Sequence, residues 1–89
     1  MSCKLVSYDL DKPNREYEDL YEAIKDLGSW WWCLESVWIV DTTKSTSEIR
    51  DELKSYIDSG DSIAVFRLSG SWASRGLSDE CSDWLHDHL

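Results

Sequence analysis

The sequence predicts an α+β domain running strand, helix, strand, strand, helix, strand and closing on a further helix. Three observations predict it: apolar alternation with a period of two opens the chain, two blocks of apolar residues at helical spacing interrupt short β-rich runs, and turn or capping residues stand at the junctions. The 89 residues are enough for one domain. No repeat, low-complexity stretch or Gly/Ser linker divides residues 1–89.

Lys4 to Asp9 forms the first strand, with Leu5 and Ser7 facing one way and Val6 and Tyr8 the other. Asp11, Lys12, Pro13 and Asn14 are turn and capping residues, after which Tyr17, Leu20, Tyr21, Ile24 and Leu27 recur at helical spacing and Gly28 stands as the C′ residue. Trp30-Trp31-Trp32-Cys33 and Val37-Trp38-Ile39-Val40, separated by Leu34-Glu35-Ser36, read as two strands or as one long strand bent at Glu35. Ser45-Thr46-Ser47-Glu48 fits a capping box, with Ile49, Leu53, Tyr56 and Ile57 as the apolar stripe of a helix that stops near Ser59-Gly60. Ser62 to Leu68 is a strand, and Ser69 to Gly76 a loop carrying Trp72. Ser78 caps a last helix that turns Cys81, Trp84 and Leu85 to the core together with Leu77. This order is the ferredoxin-like split βαβ plan with an added C-terminal helix. Right-handed crossovers place the first two helices on one sheet face. The other face is also apolar and needs a cover, from the last helix, a loop or the second subunit of a homodimer.

Composition restricts the function classes. Eighteen acids against nine bases give a formal charge of −9, which repels nucleic-acid backbones unless the bases cluster or a metal intervenes, and attracts cationic proteins. Duplex DNA is therefore disfavoured as a partner. No apolar run reaches the roughly 18–20 residues that cross a bilayer, and Met1-Ser2-Cys3-Lys4 leads into no signal-peptide pattern, so the expectation is a cytoplasmic protein without a membrane partner. Cys3, Cys33 and Cys81 are odd in number and widely spaced, and read as small core hydrophobes of a reducing compartment rather than as a disulfide or zinc ligands.

Asp9 and Asp11 stand where the first strand ends, an edge that commonly carries ligands in α/β and α+β domains. Either Asp9, with Asp11 assisting, holds a divalent Mg²⁺ or Mn²⁺ ion for phosphodiester chemistry, or the pair shapes the Pro13 turn through side-chain to backbone hydrogen bonds. Trp30 and Trp32 share a strand face, and with Tyr8, Trp38 and Trp72 read as a core or dimer-interface aromatic surface; no Lys or Arg flanks them in sequence for base stacking. Arg50, Arg67 and Arg75 are the candidate phosphate-facing bases, with surface ion pairs as the plainer reading. His86 and His88, two apart on a helix, point in different directions and read as frayed and solvated. No Ser-His-Asp or Cys-His arrangement, glycine-rich phosphate loop or H-E-x-x-H helix is present.

Tyr8-Asp9 closing the first strand, an amphipathic helix from Tyr17 ending in Gly28, Ser36-Val37-Trp38, and the strand Asp61-Ser62-Ile63-Ala64-Val65-Phe66 occur in the order seen in the CRISPR-associated protein-two family and the related VapD ribonucleases, which the chain resembles. It is especially similar to a subgroup of short bacterial and phage proteins carrying a SinR-family label, through Tyr8 to Pro13, Tyr17 to Tyr21, Leu34 to Trp38 and Trp72-Ala73. The resemblance spans nearly the whole chain on short motifs. It implies a ferredoxin-like homodimer in which the first-strand Asp of each subunit, here Asp9, binds a divalent cation for RNA cleavage, or an inactive relative. The chain lacks the basic surface of the scaffold members of that family, and no helix-turn-helix with basic recognition residues is present. Beside this expectation stands a second: a noncatalytic acidic protein, of phage or mobile-element type, that occupies the basic groove of a nucleic-acid enzyme.

Overall fold

The computed structural model describes residues 2–11 and 17–89; Lys12, Pro13 and Asn14, expected to turn the chain into its first helix, lie outside them. The alternation of the first strand holds in β1 (Ser2–Asp9): Val6 and Tyr8 enter one buried cluster, while Cys3 enters another on the opposite face. β1 is the pivot of a four-stranded antiparallel sheet. It pairs with β3 (Val37–Thr42) on one side and β4 (Ser62–Arg67) on the other, and β2 (Ser29–Leu34) joins β3, giving the order β2-β3-β1-β4.

The tryptophan segment takes the two-strand alternative, with Glu35 and Ser36 forming the turn. Trp31 lies opposite Ile39 but Leu34 lies opposite Val37, so β2 carries one extra residue, a bulge. Its consequence is a change of face. Trp30 and Trp32 lie against Trp38, whereas Leu34 beyond the bulge lines the same cavity as Trp31 and Val37 on the opposite side.

Helices α1 (Glu18–Lys25) and α2 (Thr46–Leu53) cover the first face, where Leu20, Ile24, Ile49 and Leu53 close on Val6, Tyr8, Trp38 and Val40. The capping box forms as its residues predict: Ser45 Oγ accepts from the Glu48 N–H at 3.1 Å, and Glu48 Oε1 accepts from the Ser45 N–H at 3.0 Å. α2 ends before Ser59-Gly60 and passes into a 3₁₀ turn over Lys54–Tyr56. At three residues per turn this rotates Tyr56 off the expected stripe, and its ring is exposed. Gly28 also differs from expectation, since among the described glycines only Gly76 has a positive φ, of 87°. What requires a glycine at 28 is space: a Cβ there would come within 2.3 Å of the Asp41 carbonyl oxygen.

The second face receives α3 (Asp79–His88), whose first turn is capped by Ser78 Oγ accepting from the Cys81 N–H at 3.2 Å. Leu85, Trp84 and Cys81, with Leu77 and Trp72 from the preceding segment, pack on Cys3, Trp31 and Ile39. The last helix and the loop thus cover much of β2 and β3, and leave Leu34 at the end of β2 51 % and Phe66 on the edge strand 57 % exposed.

The reading of all three cysteines as core thiols is corrected. Cys33 and Cys81 form a disulfide across a Cα separation of 6.4 Å, and Cys3 alone is free and buried. Their 48-residue separation carries no pairing signal; packing α3 across β2 brings them together. A disulfide belongs to oxidising surroundings, so cysteine usage does not support the reducing compartment expected from the sequence. Among the described residues, no helix is long and apolar enough to cross a membrane.

Candidate functional site

The β1–β4 pairing ends at Asp9 opposite Ser62. Asp9 is exposed, and its carboxylate makes no hydrogen bond or ion pair among the described residues. It lies on a shallow groove of about 240 Å³ lined by Ser7, Tyr8, Ser62, Ile63 and Ala64.

The turn beside this groove is organised by a different carboxylate, Asp61. Asp61 Oδ1 accepts from the Asp11 N–H at 2.7 Å and Oδ2 from the Asp58 N–H at 2.9 Å, while the Tyr17 hydroxyl donates to both oxygens at 3.1 and 3.2 Å. Those main-chain donors, Asp11 first, hold the Asp61 carboxyl below the usual carboxylate range. Gly60 fits because a Cβ there would approach Asp11 Oδ2 to 2.7 Å. Asp11 therefore takes part in this turn through its main chain, whereas the expected hydrogen bonds from the Asp9 and Asp11 side chains to the Pro13 turn fall on a segment outside the described residues. Sequence reasoning passed over Asp61 as a site residue. The turn composition Asp58-Ser59-Gly60-Asp61 was the available signal.

The three arginines are spread over separate places. Arg50 on α2 donates to Asp51 Oδ1 from Nε and Nη2 at 3.1 and 3.0 Å. Arg67 is at the opposite end of β4 from Ser62, paired with Lys4, so roughly 17 Å of strand separates it from the Asp9 end. Arg75 belongs to the segment over the other sheet face. Lys4 itself is buried and donates to Ser2 Oγ at 2.7 Å and the Thr42 carbonyl at 2.9 Å.

The aromatic residues divide between the faces rather than forming one surface. Trp38 is fully buried, with Trp32 stacked on it at 4.1 Å and Trp30 tilted against it at 5.7 Å. The Trp38 Nε1–H donates to the Tyr8 hydroxyl at 3.0 Å, and burial pushes the Tyr8 phenol upward. Trp30 and Trp32 remain 42 % and 37 % exposed, so they roof the core and keep solvent-facing surface. Lys25 of α1 places its ammonium 5.1 Å from the Trp30 ring centroid, a cation the sequence neighbourhood did not reveal. Trp72 lies apart from these, in the cluster under α3.

The histidines also depart from expectation. They do diverge, but neither is merely frayed: His86 meets the Trp72 ring edge-on at 5.0 Å, and His88 stacks on Trp84 at 4.0 Å with Nδ1 2.9 Å from Asp41 Oδ2. Among the described residues, no three His, Cys, Asp or Glu side chains gather into a metal-holding group. No protein-family model matches the chain, and no solved structure matches it.

Proposed function

We propose that the chain is a ferredoxin-like domain of the CRISPR-associated protein-two/VapD type, acting as a homodimeric, metal-dependent ribonuclease through Asp9. The observation that carries this reading is Asp9 itself: an exposed carboxylate without a partner among the described residues, at the end of the central strand β1 and beside a groove. The sheet order β2-β3-β1-β4 with α1 and α2 on one face supports the ferredoxin-like plan. Among the described residues one chain offers a single such carboxylate at this strand end, and a hard divalent ion takes about six oxygen ligands. The fit therefore requires Asp9 from each of two copies, with water and phosphate oxygens completing the shell. When bound, the ion would supply charge neutralisation at the phosphate and an activated water.

A second reading is a noncatalytic acidic protein that binds a basic groove of a nucleic-acid enzyme. It is favoured by the dispersion of Arg50, Arg67 and Arg75, which leaves no cluster of these bases to recruit RNA in a chain of charge −9. Incubating single-stranded RNA with the wild-type protein and Asp9→Ala, each with Mg²⁺ or Mn²⁺, separates the two. Cleavage by the wild type that Asp9→Ala loses supports the nuclease. No cleavage by either protein, with salt-sensitive inhibition of a basic nuclease by both, supports the acidic binder.

A further inference from the structure

We propose that the cavity between the second sheet face and the segment 68–77 is a binding site for a small anionic amphiphile, a carboxylate carrying an apolar chain of medium length. This site is separate from Asp9 and stands or falls independently of the ribonuclease reading. The cavity measures about 330 Å³, within the range of small-molecule sites. Leu5, Val37 and Ile39 line it from the sheet, Leu85 from α3, and Trp72 and Leu77 from the covering segment. At about 30 Å³ per water-sized group, the space matches a chain of roughly eight to ten carbons.

Charge selects the head group. The chain holds twice as many acids as bases, yet among the described residues Arg75 is the only charged side chain lining the cavity. Arg75 makes no ion pair or hydrogen bond among the described residues, although carboxylates elsewhere occupy Arg50, Lys44 and Lys54. A guanidinium left unpaired beside an apolar cavity is complementary to a carboxylate, which it can hold with two parallel N–H donors. Ser69, Ser71 and Ser74 line the same cavity and carry hydroxyls that can donate.

The site is also held in shape before any ligand arrives. Gly76 turns the chain at φ 87°, between Arg75 and the core contact of Leu77. Trp72 meets the edge of His86 on α3, and α3 is tied to β2 by the Cys33–Cys81 disulfide. Such preorganisation lowers the ordering cost of binding.

Decanoate and decan-1-ol, titrated below the aggregation concentration of the acid into the disulfide-intact protein, test the proposal by calorimetry and by amide NMR. Decanoate should bind saturably and about tenfold more tightly than the alcohol, the factor expected of a charge-assisted pair. Amide shifts should centre on Val37, Trp72 and Leu77. Arg75→Gln, an exposed substitution that keeps the fold, should abolish the preference for the acid while retaining alcohol binding. The proposal is overturned by absence of saturable binding, by equal affinity of the wild type for acid and alcohol, by shifts centred on Trp30 and Trp32, or by an acid preference that survives in Arg75→Gln.

Discussion

Asp61 gathers two main-chain N–H donors and the Tyr17 hydroxyl, so its anion is the form the folded turn stabilises. A carboxyl with a folded pKa below its unfolded value adds stability above the unfolded pKa and loses it as pH falls through the folded one. Asp61→Asn should lower Tm at neutral pH, with the difference from wild type shrinking as the solution is acidified into that window; a pH-independent difference in thermal melts would contradict the assignment. Tyr8→Phe acts on a buried pair. It strips the Trp38 indole N–H of its acceptor and should cost about 1–3 kcal/mol in urea unfolding. At this scale the position of Asp9 at a strand end was legible, because Tyr8-Asp9 closes an alternating strand. It did not reveal which carboxylate the turn consumes, since that depends on Asp11 and Asp61 meeting across 50 residues.

Among the elements, close backbone approach is the constraint that a substitution exposes most sharply. Gly28→Ala would press a Cβ into the Asp41 carbonyl where β2 begins its pairing with β3, and should cost about 1–3 kcal/mol of overpacking. Gly70→Ala serves as its control. There the nearest contact is an ordinary 4.0 Å to the Leu89 carbonyl carbon, and stability should change by less than about 0.5 kcal/mol. Denaturation midpoints of the two variants check the contrast. Local chemistry made the capping residues Ser45, Glu48 and Ser78 legible, because a cap is decided within four residues. The bulge in β2 was not legible: it exists in the register against β3, and only that register sends Leu34 to the face of Trp31.

For the whole molecule, α3 and its disulfide decide what the second sheet face becomes. Replacing both Cys33 and Cys81 by Ser should lower unfolding free energy by about 2–4 kcal/mol, as expected for a cross-link spanning 48 residues. Sequence reasoning required a cover for that face and named the last helix among the candidates. It missed the disulfide because pairing follows from the docking of α3 on β2, which no spacing encodes. With most of β2 and β3 covered, the β1–β4 side stays open, with Phe66 exposed and Asp9 closing the strand. On the proposed dimeric reading, a second copy would bring its own Asp9 to that side. The specific rate of RNA cleavage in Mn²⁺, followed across protein concentrations for wild type and Asp9→Ala, tests this most directly. The account predicts a specific rate that rises as protomers associate and vanishes in Asp9→Ala; cleavage independent of protein concentration, or retained by the variant, would contradict it.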